Sequence, residues 1–236
     1  MAKTTAIIPA AGQGRRMKAE TNKQYLPLAG VPLVVHTLQV FQKEPLIDEI
    51  CLVVAPEEVF WCQEKIVNHY GFSKVRTVLA GGKERQDSVY RGLQALPEDC
   101  QWVAVHDGAR PLLIDHILQQ TIREAWEHDA AVAAVPVKDT IKVATANGLV
   151  RTTLNRQSLW SVQTPQVFNR HLLQKAYEIA FKEKYYGTDD ASLVERLGFN
   201  VKLVTGDYEN LKITTPEDLE LAEVILARRQ RTRTSG

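Results

Sequence analysis

Thr4-Thr5-Ala6-Ile7-Ile8-Pro9-Ala10-Ala11-Gly12-Gln13-Gly14-Arg15-Arg16-Met17 passes from an apolar, β-branched run into small residues, glycines and cations. Such a run, ended by turn residues, reads as a buried strand. The loop after it reads as a ligand loop. Pro9, Ala10 and Ala11 are small enough for a ligand to approach the backbone closely. Gly12 and Gly14 permit the positive φ angles that turn successive N–H groups toward an anion, and Arg15, Arg16 and Lys23 supply fixed positive charge. In outline this is a triphosphate cradle, although a tight strand-to-helix turn accounts for a bare Gly-x-Gly equally well. A Walker loop needs Gly-Lys followed by Ser or Thr, which is absent, and Met17 stands where a dinucleotide fingerprint needs a third Gly or Ala.

Working outward, further apolar runs at 49–55, 75–80, 102–106 and 131–137 join the first strand at 4–9. Helical patterns alternate with them at 33–42, 57–70, 85–96 and 114–128, the last with Ile114, Ile117, Leu118, Ile122, Ala125 and Trp126 along one face. Strands alternating with helices predict a single-domain α/β fold, a Rossmann-like open twisted sheet with helices on both faces. Its ligand belongs at the carboxyl ends of the strands.

Length and charge narrow the partners. The chain has 236 residues, enough to bury roughly 70–75% of its unfolded surface in one core. Its 29 Lys and Arg against 28 Asp and Glu give a net charge of +1, which opposes a nucleic-acid or membrane-surface protein and favours a small-molecule ligand. No apolar run approaches the length of about 18 residues that spans a bilayer, so a cytoplasmic protein is expected. Cys51, Cys62 and Cys100 sit in apolar segments and are expected to be buried thiols.

The rhythm breaks at about 138–160. Two alternating segments, 140–144 and 149–154, flank Asn147-Gly148, a type I′ hairpin signal. An isolated hairpin is unstable in water, and the sheet before it reads as complete, so the expectation is an arm that crosses to a second copy and makes a homodimer. Helices near 171–184 and 189–197, a strand at 201–204 and a last helix capped by Thr215 with Pro216 at its first position complete a domain of residues 1–228. The basic end at 229–236 is expected to be a frayed, disordered tail.

The opening loop through Lys23-Gln24 is similar to the signature loop of nucleotidyltransferases that act on sugar or sugar-alcohol phosphates. With Gly81-Gly82-x-Glu84-Arg85-x-x-Ser88 and Val105-His106-Asp107-x-Ala109-Arg110-Pro111, the chain resembles the 4-diphosphocytidyl-2-C-methyl-D-erythritol synthase family. The likeness continues through Lys138-Asp139-Thr140-x-Lys142, Asn155-Arg156, Gln163-Thr164-Pro165-Gln166, Thr188-Asp189-Asp190-Ala191-Ser192 and Asn210-x-Lys212, nearly the whole chain. Lys83 departs from the acidic residue that some members carry there.

The resemblance implies transfer of CMP from CTP to 2-C-methyl-D-erythritol 4-phosphate, with release of pyrophosphate. The attacking phosphate is already ionised, so catalysis falls to positioning and to cations rather than to a general base. By resemblance, Arg16, Lys23 and Lys212 stabilise the transition state, and Arg156, Thr140 and Thr188 hold the acceptor phosphate with help from Lys212. The family's site is completed by the dimer mate's arm. Backbone groups around Ala10, Ala11 and Gly82, with the Ser88 hydroxyl, are expected to read the cytosine; for Ser88 a helix cap is the alternative. Asp107 ends a strand and suits Mg²⁺ beside phosphates, or else a turn or cap. Thr188 could equally be an N-cap, Arg110 has no assigned role, and His106 reads as structural. Two other functions compete: a ribitol-5-phosphate cytidylyltransferase, and a non-catalytic nucleotide-binding dimer, which Arg16, Lys23 and Lys212 oppose.

Overall fold

The computed structural model describes residues 2–12 and 22–234. Gly14 and Arg16, both expected in the phosphate loop, lie outside the described residues. The chain opens with β1 (Lys3–Pro9), the short pair β2 (Pro27–Leu28) and β3 (Val31–Pro32), then α1 (Leu33–Lys43) and β4 (Glu49–Val54). Next come α2 (Val59–Cys62), which runs on as a π-helical turn over Gln63–Asn68, β5 (Val75–Ala80), α3 (Arg85–Gln94) and β6 (Cys100–Val105). After α4 (Asp115–His128) and β7 (Ala130–Pro136) the arm strands β8 (Lys142–Ala144) and β9 (Val150–Thr153) follow. The chain then forms β10 (Trp160–Asn169), α5 (Arg170–Lys182), α6 (Asp190–Arg196), β11 (Lys202–Thr205) and α7 (Pro216–Thr234).

The main sheet has the order β11-β7-β10-β6-β1-β4-β5. β1 pairs in parallel with β4 and β6, β4 with β5, and β11 with β7, while β10 runs antiparallel between β6 and β7. Alternation along β1 explains the two cores. Ala6 and Ile8 face a cluster built with Val34, Leu38 and Phe41 of α1 and Ile117, Leu118 and Ile122 of α4. Ile7 faces the opposite cluster with Val89 and Leu93 of α3, Leu173 and Tyr177 of α5, and Leu193 of α6. A strand covered on both faces is apolar along most of its length, which is why β1 reads as a near-continuous run from Thr4 to Pro9. A third cluster seats Ala222 and Ile225 of α7 against Leu112 and Ile213.

Three expectations are corrected. The sheet is not complete before the arm, because β10 and β11 enter it afterwards. β10 was hidden by its own sequence: Gln163, Thr164, Pro165 and Gln166 interrupt the apolar pattern, and the ladder to β7 shifts between Val162 and Gln166, where proline has no N–H to give. The arm turn is not the two-residue type I′ form. Of Asn147 and Gly148 only Gly148 takes a positive φ, 78°, with its N–H donating to Thr145 O at 3.0 Å, and the register shifts between Val143 and Ala144. This is the longer loop with a glycine bulge. Finally, residues 229–234 are helical, because α7 runs to Thr234. Its start is as expected: Asp218 N–H donates to Thr215 Oγ1 at 3.4 Å, and Asp218 Oδ2 accepts from Thr215 N at 2.8 Å.

Candidate active site

The carboxyl ends of β1, β4, β5 and β6 meet at one edge of the sheet. Ala10 N–H donates to Val53 O at 2.6 Å, Gly81 N–H to Val54 O at 2.7 Å, and Gly108 N–H to Pro9 O at 3.1 Å, so the loops leaving these strands are stitched to neighbouring strands. They enclose a cleft of about 140 Å³ lined by Pro9, Ala11, Gly12, Lys23, Gly82, Ser88, Asp107 and Lys212, among others. Most of the expected nucleotide-binding residues therefore share one cavity, in the place where an open α/β sheet puts its ligand. Ala10 itself is buried, between the lining residues Pro9 and Ala11.

Close backbone approach explains the glycines. A Cβ on Gly81 would lie 2.5 Å from Ala11 Cβ and 2.7 Å from Ser88 Oγ, and one on Gly82 would lie 2.2 Å from Asp87 Cβ. The Ser88 hydroxyl accepts from Gly82 N at 3.1 Å and donates to Glu84 O at 3.2 Å, so it braces this loop. It is not the helix cap: Glu84 caps α3, in a reciprocal box with Asp87.

Asp107 follows β6 and is the electrostatic centre of the cleft. Its Oδ1 accepts from Arg85 Nε at 2.8 Å, its Oδ2 lies 2.7 Å from Lys212 Nζ, and its N–H donates to Thr164 Oγ1 at 3.1 Å. Burial alone would raise its pKa. The Arg85 guanidinium and the Lys212 ammonium overcome that and hold the carboxyl well below the usual carboxylate range. Arg85 reaches further, with Nη2 donating to Asp190 Oδ2 at 2.8 Å, and Asp190 Oδ1 accepts from the buried Tyr177 hydroxyl. A continuous line of charge-assisted bonds thus runs Lys212, Asp107, Arg85, Asp190, Tyr177. Burial opposes the Arg85 charge, but Asp190 and Asp107 raise its pKa well above the ordinary value.

Lys23 also lines the cleft. Its Nζ donates to Ile213 O at 3.1 Å, beside Lys212, while Gln24 Nε2 donates to Gly12 O at 3.0 Å. Two residues distant in sequence, Lys23 and Lys212, are brought to the same cleft. The other acceptor-binding candidates are not. Thr140 and Arg156 are exposed on the arm, and Arg156 Nη1 donates to Lys138 O at 3.0 Å. Thr188 lies beside a small cavity with Arg85, Tyr177 and Asp190, and Asp189 rather than Thr188 caps α6.

His106 is enclosed. Its Nε2 lies 3.1 Å from Arg110 O, which can only accept, so Nε2 carries the proton and Nδ1 accepts from the Thr164 hydroxyl at 3.0 Å. Burial lowers its pKa to about 4. A neutral imidazole with both nitrogens engaged is a strut, as the sequence suggested. Arg110 acquires a role as well: Nη1 donates to Asn210 O at 2.6 Å, fastening the loop that carries Lys212. The three cysteines are buried and unbridged, with burial pushing the Cys51 and Cys62 thiols up to about 12. Among the described residues no helix is long and apolar enough to cross a membrane.

Arg85 stands in the Gly81-Gly82-x-Glu84-Arg85 motif, but nothing in the sequence assigns it a task or links it to Asp190. Neither partnership has a local signal: 22 residues separate Arg85 from Asp107 and 105 separate it from Asp190.

Comparison with known proteins agrees with this geometry. The family model described as "IspD: 2-C-methyl-D-erythritol 4-phosphate cytidylyltransferase" matches residues 4–228. A protein of that name from Geobacter metallireducens is 48% identical over 224 residues, 94% of this chain and 96% of the relative. Another from Alkaliphilus metalliredigens is 50% identical, covering 97% of this chain and 95% of its own. The crystal structure of 4-diphosphocytidyl-2C-methyl-D-erythritol synthase from Anaerococcus prevotii superposes with a TM-score of 0.86 at 32% identity, over 95% of this chain and 96% of that one. The cytidylyltransferase from Thermus thermophilus gives 0.76 at 32% identity, over 94% and 98%. A cleft walled by Lys23, Asp107 and Lys212, on a sheet shared with these relatives over almost the whole chain, places this chain in the IspD family of 2-C-methyl-D-erythritol 4-phosphate cytidylyltransferases.

Proposed function

We propose that this chain transfers CMP from CTP to 2-C-methyl-D-erythritol 4-phosphate, giving 4-diphosphocytidyl-2-C-methyl-D-erythritol and pyrophosphate for isoprenoid synthesis. The observation that carries this reading is the convergence of Lys23 and Lys212 on the cleft beside Asp107, within a chain of this family. An acceptor phosphate oxygen forms a bond to the α-phosphorus of CTP in line as the bond to pyrophosphate breaks, and the electron pair leaves with pyrophosphate. Lys23 and Lys212, with Arg16 from the signature loop, neutralise the charge that grows on the five-coordinate phosphorus. The attacker is an anion, so no base is needed, in keeping with His106 having both ring nitrogens occupied.

Pro9, Ala10, Ala11, Gly12, Gly14 and Gly82 form the backbone cradle of the nucleotide, and Ser88 holds that cradle in shape while facing the base. Magnesium fits Asp107: it is a firmly ionised carboxylate at the wall of the cleft, and Mg²⁺ is commonly held by one or two carboxylates with phosphates completing its shell. Bound there, the ion would neutralise phosphate charge. Lys212 would then exchange Asp107 for a phosphate oxygen.

The acceptor phosphate is held by Thr140, Arg156 and Thr188 together with Lys212. Arg156 and Thr140 lie off the cleft of their own chain, and the arm exposes Ile141, Leu149, Val150 and Leu154. Both facts support a homodimer in which each arm completes the partner's site, acting in the cytoplasm on small molecules rather than on nucleic acid. The test is pyrophosphate release with CTP, Mg²⁺ and the acceptor. Lys212→Met is expected to lower kcat about a hundred- to a thousand-fold in a folded protein, the usual loss of one transition-state donor. A decline of less than tenfold contradicts the assignment.

A further inference from the structure

The basic end of the chain has work to do near the cleft. Arg229 lies on α7, and its Nη1 donates to Leu112 O at 2.8 Å. Its Nε and Nη2 reach Glu209 Oε2 at 3.2 and 3.1 Å, and Nη2 lies 3.4 Å from Asp207 Oδ2. One planar guanidinium therefore grips two loops, the one that leaves β6 with Asp107 and the one that leaves β11 with Lys212.

Between those grips the loops are joined by Ile213 N–H donating to Ala109 O at 2.8 Å and by Arg110 donating to Asn210 O. Asn210 is fully buried, and its side-chain amide donates to Thr164 O at 2.9 Å and Gln163 Oε1 at 3.2 Å. The segment from Asp207 to Ile213 is thus fixed at both ends, while Lys212 projects from it to Asp107. Arg229 grips both loops from outside them, from α7.

We propose that Arg229 is a positioning residue for the transfer reaction, holding Lys212 and Asp107 at the same cleft by clamping the loops that carry them. This rests on the cytidylyltransferase reading for its kinetic consequence, but the clamp itself is a physical statement about the chain. A misplacement of about 1 Å at a reacting centre costs about a hundred-fold in rate, so Arg229→Gln is expected to lower kcat by about that factor. The KM for CTP, which is held mainly by backbone on the other side of the cleft, is expected to change less than about threefold, a loss of orientation rather than of uniform binding.

The decisive experiment is a double-mutant cycle with hydrogen exchange, using the full chain. If Arg229 acts through Lys212, Arg229→Gln changes the rate of Lys212→Ala by less than about twofold, whereas independent effects would multiply. Amide exchange in the 207–213 segment is expected to quicken about tenfold in Arg229→Gln, while Arg196→Gln, which breaks a surface pair with Glu183, leaves it alone. Equal rate losses in both backgrounds, a wild-type kcat in Arg229→Gln, or unchanged exchange at 207–213 overturns the proposal. Should Arg229→Gln not fold, Arg229→Lys, which keeps the charge and loses the fork that reaches Leu112, Glu209 and Asp207 together, carries the same cycle and the same exchange criterion. A wild-type chain with no transferase activity would sink the functional reading, and the exchange result would still decide the clamp.

Discussion

Replacing Asp107 by Asn keeps the shape of the side chain and removes the charge on which the site is balanced. The stability cost can be worked from the contacts. Removing one partner of a buried ion pair costs about 3–5 kcal/mol when the other charge is left stranded. Here Lys212, with its side chain 37% exposed, can turn to water, and Arg85 retains Asp190 at 2.8 Å, so the loss belongs near the bottom of that range, about 3 kcal/mol. In a chain of this size that lowers Tm by about 6–12 °C. The pH dependence has a definite sign. The pKa of Asp107 is depressed in the folded state, so on acidification the unfolded chain takes up the proton first. The stabilisation is complete above the unfolded carboxyl value of about 4 and is lost as pH falls below it toward the folded value. Urea unfolding of both proteins should show a constant gap from pH 8 to about 4.5 that narrows below pH 4. A gap under about 1 kcal/mol at neutral pH, or one indifferent to acid, would refute the assigned role.

His106 has the same sign by a different cause: burial lowers its pKa from 6.5 to about 4. Its contribution of about 3 kcal/mol is present above pH 6.5 and lost between 6.5 and 4, so His106→Gln should flatten that part of the stability profile and leave kcat within about tenfold of wild type. A thousand-fold loss of rate in a folded His106→Gln would restore the case for a general base. Gly81→Ala forces a methyl against Ala11 and Ser88 and should weaken CTP binding by about 1–3 kcal/mol in calorimetry, since the nucleotide wall must shift to admit it; an unchanged Kd would count against the backbone cradle. Mixing inactive Lys23→Ala and Arg156→Ala chains should recover activity through hybrid dimers, and none should appear if both residues serve one chain's own site.

Strands β1, β4 and β7 were legible because almost every residue in each is buried and each ends at a turn. The 75–80 prediction coincides with β5, and the 4–9 prediction misses only the first residue of β1. β10 was not legible, since its middle carries Gln163, Thr164, Pro165 and Gln166, whose polar groups serve Asp207, His106 and Asp189 rather than the core. Composition cannot distinguish such a strand from a loop. Within the site, motifs located Lys23, Asp107 and Lys212, but the pairings of Asp107 with Arg85 and Lys212 exist only through the tertiary fold. The basic end was misread for a related reason. Arg229 looks like one more solvated charge until Asp207, Glu209 and Leu112 are brought beneath it.

The central claim is the reaction itself, and its most direct test is product formation with CTP and Mg²⁺ when 2-C-methyl-D-erythritol 4-phosphate and ribitol 5-phosphate are offered side by side. Pyrophosphate and the cytidine diphosphate ester of methylerythritol are expected from the first acceptor alone. Turnover of ribitol 5-phosphate alone would contradict the assigned acceptor, and silence with both would contradict the cytidylyltransferase assignment.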